Sequence, residues 1–443
     1  MRYNLIVIVA DTFRADHLGC YGNDWIKTPS LDQMAQQGVV FENCYADGLP
    51  TIPARRVFFT GNSIIPREIH GGWTPLRQDD LPLPVILRDA GFRTGFVTDT
   101  YHYFKPGQNF HQGFDSWRWI RGQEFDPWIS GPKNEFDPHD HIPDHLWNEN
   151  YDEMTRQYMM NTCDRQHEED YFCAQTFQEA GRWLEHNANE SPFMLWVDTF
   201  DPHEPWDAPF RFQQMYRQDY PFERTLFGYG VNGDDIKERD LPVLKALYAA
   251  EVSFVDMWIG RLLDRVDELG LAEDTIIVFT TDHGTHLGED GYVQKNPAQL
   301  DSRVSHMPLI VRHPDSSLAG TRVDSLVSAT DLAPGFVDML DVQETPEMDG
   351  DSFWRVAAEP AETNHDDLYI EFGPFGAVHN FEWHYFQPTS EENASQPACL
   401  YNLQGDQEET KNVASDYPEV VTEPHSKLKK RMGQNIPEPQ LPK

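Results

Sequence analysis

Apolar residues in this chain gather into short, nearly unbroken runs. The first is residues 5–10 (LIVIVA), followed by 94–98 (TGFVT), 193–198 (FMLWVD), 275–280 (TIIVFT) and 308–312 (PLIVR). A run with no polar face predicts a strand buried on both sides of a parallel sheet. Between the runs, residues 30–37, 174–187 and 241–269 read as helical stretches, the last with apolar positions at spacings of three and four. Strand and helix alternate, so the fold class is α/β, with a mostly parallel central sheet flanked by helices. From about residue 345 the pattern changes to acidic loops, shorter strands at 367–372 and 377–386, and a polar helix at 418–432. This predicts a catalytic α/β unit over 1–345 and a small C-terminal α+β subdomain over 346–443. Residues 101–165 carry many aromatics and histidines but little periodicity, which predicts a long irregular insertion of the kind that shapes a site.

Composition narrows the partners. Asp and Glu total 73 against 35 Lys and Arg, a net charge of -38. Such a surface repels nucleic acid and anionic membranes, and reads as a solvated acidic shell. Five widely spaced cysteines without a CxxC pair fit free thiols in a reducing compartment. No apolar stretch approaches the roughly 18 residues of a membrane span, and residues 1–10 lack a basic segment ahead of an apolar one. The expected location is the cytoplasm, with a homo-oligomer left open. An anionic substrate would then need a locally positive pocket, and a metal ion is the simplest means of making one.

In an open parallel sheet, ligands bind beyond the carboxyl ends of the strands. Asp11 follows the first run, Asp201 and His203 follow the 193–198 run, and Asp282 and His283 follow the 275–280 run. Carboxylates and imidazoles from separate strand ends can surround one divalent cation. A second feature is the segment Thr51-Ile52-Pro53-Ala54-Arg55, ahead of a helical pattern at 56–59. A hydroxyl at a helix start lies in the positive field of the helix N-terminus, and Arg55 is at hand to stabilise an alkoxide or a transferred anion.

Three segments, VADTFRADHLGCYG with Asp11, the TxPxR run from Thr51 with Thr60-Gly61 nine residues on, and TTDHGTHLGEDG with Asp282 and His283, resemble the sulfatase and alkaline phosphatase superfamily in order and spacing. Lys27–Asp32 (KTPSLD), the PHEP run at 202–205 and the LYNL run at 400–403 extend the resemblance from residue 3 to about 415. It implies a metal-dependent ester hydrolase in which Asp11, Asp282 and His283 bind one divalent metal, bridged by Thr51 as nucleophile. Arg55 would support Thr51, while His203, His102 and Lys295 would contact the transferred group or the leaving oxygen.

The departures from the pattern refine that expectation. Sulfatases have Cys or Ser at the position of Thr51, oxidised to formylglycine, and a threonine cannot give that aldehyde. Direct attack by the Thr51 hydroxyl is the remaining route, as in phosphodiesterases of this fold. The single leading carboxylate Asp11 and the Asp282-His283 pair resemble the phosphonate monoester and phosphodiester hydrolase branch, which implies manganese, with calcium, magnesium or zinc as alternatives. Asp99-Thr100-Tyr101-His102 stands where the family has GKWH, so one lysine is missing and a singly charged anion fits better. The expected substrate is a phosphodiester or phosphonate monoester. A sulfatase working without formylglycine, and a pseudoenzyme that binds an anionic ligand, are the alternatives.

Overall fold

The computed structural model describes residues 2–66, 72–105, 107–217, 226–358, 363–433 and 435–442. Its centre is an eight-stranded sheet in the order Thr321–Ser328, Val39–Tyr45, His306–Arg312, Thr275–Thr280, Asn4–Ala10, Phe193–Thr199, Arg93–Thr98 and Ser116–Trp119. His306–Arg312 runs antiparallel to both neighbours, and every other adjacent pair is parallel. The mostly parallel α/β sheet expected from the apolar runs is therefore present.

All seven residues of Asn4–Ala10 are buried. Its side chains alternate between two cores: Leu5, Val7 and Val9 join the core with the helix Thr51–Thr60, whereas Ile6, Ile8 and Ala10 join the core with Pro29–Gln37, Phe172–Asn187 and Leu241–Glu268. A strand that feeds two cores has no polar face, which is why its sequence is a continuous run. The pattern leaves out Val39–Tyr45 and Thr321–Ser328, because Glu42 and Asn43 interrupt the first and exposed Arg322 and Asp324 alternate with buried residues in the second.

A second sheet of five strands is ordered Cys399–Asn402, Trp383–Pro388, Phe375–His379, Leu368–Phe372 and Gly48–Leu49. The single strand expected at 377–386 is two strands of a hairpin. Asn380 breaks it, its side-chain oxygen accepting from the amides of Glu382 and Trp383. The short strand Gly48–Leu49 pairs with Leu368–Phe372 immediately before the helix Thr51–Thr60, so the C-terminal sheet holds the segment that leads into Thr51. The 101–165 region contributes the edge strand Ser116–Trp119, the helix Asp152–Asn161 and several single 3-10 turns. Among the described residues, no helix is long and apolar enough to cross a membrane.

At the end of the sheet opposite the chemistry, Asn4 acts as a clasp. Its Nδ2 donates to Asp274 and Thr275, and its Oδ1 accepts the amide of Phe193. Asn4→Ala strands that buried amide and is expected to cost about 1–3 kcal/mol. Urea unfolding should show this loss while kcat of the folded variant stays unchanged; a parallel fall in kcat would place Asn4 within the machinery of the site.

Candidate active site and metal centre

Three strand ends meet at one buried guanidinium. Arg55 Nη1 lies 3.0 Å from Asp11 and 2.5 Å from Asp282, and Nη2 lies 2.9 Å from Asp198, all four side chains being fully buried. Asp11 follows Asn4–Ala10, Asp282 follows Thr275–Thr280, and Asp198 lies within Phe193–Thr199. Asp198 grips Arg55 with both oxygens and also accepts from the hydroxyls of Thr100 (2.8 Å) and Tyr103 (2.6 Å). Sequence reasoning passed over Asp198 as the last residue of an apolar run. The signal was a carboxylate where both faces are buried, which requires a partner.

Arg55 arrives on the helix Thr51–Thr60, which begins five residues before the 56–59 pattern predicts. Pro53 is tolerated because the first turn of a helix has no use for its missing amide hydrogen. Thr51 is therefore the first helical residue rather than a residue ahead of the helix. It is buried, and its carbonyl accepts from Arg55 Nη1 at 3.3 Å.

The carboxylates are oriented by their neighbours. Asp11 Oδ1 accepts the Thr12 hydroxyl at 2.6 Å, and Asp282 Oδ1 accepts the amides of Thr12 and His283. Thr12 adopts φ 65, a costly backbone region for a β-branched residue, and the Tyr248 hydroxyl holds its carbonyl. His283 Nδ1 donates to the Gly284 carbonyl, which leaves the lone pair on Nε2. A side chain at Gly284 would meet the Arg303 carbonyl at 2.1 Å, so glycine is required there. Burial pushes the His283 imidazole down to about 3, so it is neutral at ordinary pH.

These residues fit a divalent metal. Three buried carboxylates face one guanidinium and a neutral imidazole, which leaves two negative charges uncompensated. Among the described residues, Asp11 Oδ2 and His283 Nε2 are buried without a hydrogen-bond partner; the contact of Asp11 Oδ2 with Arg55 is an ion pair without hydrogen-bond alignment. One ligand atom from each of Asp11, Asp282 and His283 lies within 4.8 Å of the other two.

A second group stands beside the first. His203 Nδ1 donates to the Glu204 carbonyl, so Nε2 is the acceptor that meets Lys295 Nζ at 2.7 Å. Lys295 also pairs with the Glu204 carboxylate at 3.2 Å. Against the penalty of burial, His203 in its protonated form and the charge of Lys295 hold Glu204 down at about 2. Both also act on His283, which ties this pair to the metal candidates. His102 stands across Phe200 from His203, with ring centroids 5.8 Å and 4.1 Å from the phenyl. Its Nε2 pairs with Glu124 at 2.9 Å, and Trp73 packs against its edge. Although burial opposes it, His102, His203 and Lys295 together lower the Glu124 carboxyl below the usual range. Glu124 lies in no motif, and Glu204 fills the variable position of the PHEP run, because their roles depend on His102 and Lys295, which folding brings to them.

Asp201, read from the sequence as a strand-end ligand, belongs elsewhere. It shares the Gln123 amide with Asp99 in a buried acidic group, and burial followed by the charge of Asp99 pushes it up to about 8. It lies in the turn that begins two residues past the strand end at Thr199.

Comparison with known proteins agrees with this geometry. The family model for Sulfatase matches residues 3–342, and that for the N-sulphoglucosamine sulphohydrolase C-terminal region matches residues 288–436. The chain is similar to an N-acetylglucosamine-6-O-sulfatase of Bacteroides thetaiotaomicron, 24% identical over 93% of this chain and 82% of that protein. It is also similar, at 24% identity over 90% of this chain and 84% of the other, to a multifunctional alkaline phosphatase superfamily protein of Trinickia caryophylli. The phosphonate monoester hydrolase of Agrobacterium radiobacter has the same fold, with a TM-score of 0.76, 22% identity, and coverage of 98% of this chain and 96% of that one. With the family model spanning most of its length, and an alkaline phosphatase-like sheet carrying the site, this chain belongs to the Sulfatase family and is an ester hydrolase.

Proposed function

We propose that this hydrolase cleaves a singly charged ester, most favourably a phosphodiester or phosphonate monoester, with Thr51 as nucleophile. The observation that carries the reading is Thr51 itself: a threonine opens the helix that brings Arg55 to Asp11 and Asp282. Its secondary alcohol cannot be oxidised to an aldehyde, so the hydroxyl must act directly.

Asp11, Asp282 and His283 would hold the metal, with Thr51 beside it. The imidazole in that set favours a transition metal such as manganese. When bound, the cation would supply charge stabilisation for the anionic ester and acidify the nucleophilic hydroxyl. Arg55 fixes both carboxylates and, through the Thr51 carbonyl, the start of the helix. Thr51 Oγ attacks phosphorus, the bond to the departing alkoxide breaks, and a proton reaches that oxygen from the Lys295–His203 pair. Glu204 keeps Lys295 aimed at His203, and His102, held by Glu124, faces the transferred group. Water then attacks the phosphothreonine, releasing the acid and restoring the hydroxyl. Two features limit positive charge: Thr100 replaces the family's lysine and is occupied by Asp198, and Glu124 and Glu204 partly neutralise the basic groups. A monoanion suits such a pocket better than a dianionic phosphate monoester. The second reading, hydrolysis of a sulfate ester through the same hydroxyl, is favoured by the sulfatase names of several relatives.

Manganese-loaded protein should hydrolyse nitrophenyl phosphodiester and phosphonate monoester faster than the matching sulfate or phosphate monoester. Thr51→Ala should lower that turnover by at least about 10³-fold. Dominant sulfate turnover would move the enzyme to the second reading, and undiminished activity of Thr51→Ala would remove Thr51 from the chemistry.

Arg55→Ala strands three buried carboxylates and is expected to cost about 3–5 kcal/mol in the metal-free protein. Saturating manganese should recover part of the lost thermal stability. Equal melting temperatures for wild type and variant would show that the network is not what holds these strand ends together.

A further inference from the structure

Among the described residues, two groups of three side chains could share a metal ion, and only the first lies in the active site. The second is His379, His384 and Glu409. His379 ends the strand Phe375–His379 and is the direct cross-strand partner of His384, which places both imidazoles on one face of the hairpin. Glu409 reaches them from the loop after Cys399–Asn402, its backbone held at φ 53. The three are at most 2% exposed, and one ligand atom from each lies within 4.8 Å of the others.

Two observations call for a cation. Glu409 accepts the Ser302 amide, the Ser302 hydroxyl and His384 Nδ1, yet among the described residues no lysine or arginine pairs with it, so its buried charge lacks a permanent counter-charge. Among the described residues, His379 Nδ1 and His384 Nε2 are buried with no hydrogen-bond partner, a state native structures rarely leave unexplained. A cavity of about 410 Å³ lies alongside, with Ser302, Arg303, His306 and Glu409 among its lining residues.

We propose that His379, His384 and Glu409 form a second, non-catalytic site for a zinc-like divalent cation, clamping the C-terminal sheet to the central one. Two imidazoles and one carboxylate make a three-ligand set that suits zinc, with water from the cavity as the fourth ligand. The location fits a clamp. Tyr45, at the end of a central-sheet strand, packs between His379 and His306, with centroids 4.0 and 4.9 Å away. Glu409 meanwhile holds Ser302, which opens the short helix before the central strand His306–Arg312.

The test is zinc uptake by the full chain after chelation, read by elemental analysis and calorimetric titration. Wild type should bind two equivalents, His379→Gln and His384→Gln one each, and the doubly substituted Asp11→Asn/His283→Gln protein one. Uptake left unchanged by both histidine variants overturns the proposal. Should circular dichroism show those variants unfolded, the Asp11→Asn/His283→Gln protein decides: one equivalent supports the site, and none overturns it. If instead zinc uptake is lost in the histidine variants but insensitive to Asp11→Asn/His283→Gln, the active-site metal reading fails and this site stands.

Discussion

The structure turns on the burial of Arg55 among Asp11, Asp198 and Asp282. Each carboxylate sits at or near the carboxyl end of a different central strand, and the guanidinium comes from the helix that Thr51 opens. Removing four charged groups from water is costly, and opposite charge at close range offsets the cost only when geometry and hydrogen bonding are good. Here the planar fork of Arg55 matches Asp198 with two donors and reaches the other two carboxylates with Nη1. The network thereby fixes strand ends and helix start against each other before any ligand arrives.

Its incompleteness is as informative as its strength. With one cation against three carboxylates and a neutral histidine, the centre retains negative charge that a divalent metal would cancel, and the uncommitted Asp11 and His283 atoms are part of the same arrangement. Thr12, strained at positive φ, and Gly284, pressed against the Arg303 carbonyl, show how closely the backbone is drawn in to orient these groups. Strain at such a point is sustained because the surrounding packing over-determines it.

The contrast between surface and site reconciles a net charge of -38 with the anionic ester proposed as substrate. Long-range repulsion from the acidic shell is screened within about 10 Å at moderate salt, so the local balance governs binding. In the pocket, Lys295, His203 and His102 are each matched with a glutamate, directly or through a neighbour. The basic groups are thus held in place rather than left to draw in the most highly charged ligand. The aromatic wall of Phe200 and Trp73 supports the two histidines from the side.

By itself the sequence determined the α/β class, the five apolar strands, the terminal helix and the motif residues Asp11, Thr51, Arg55, Asp282 and His283. Both kinds of information are local: burial on two faces forces a continuous apolar run, and motif spacing is written along the chain. Tertiary structure alone decided the roles of Asp198, Glu124 and Glu204, the diversion of Asp201 into another buried group, and the union of Gly48–Leu49 with the C-terminal sheet. It also decided that His379 and His384 face Glu409, because the hairpin turn at Asn380 is short-range but the carboxylate comes from a separate loop. A buried charge has no meaning in a sequence until its partner is known, and partners more than 100 residues apart, as with Arg55 and Asp198, are chosen only when the sheet is assembled.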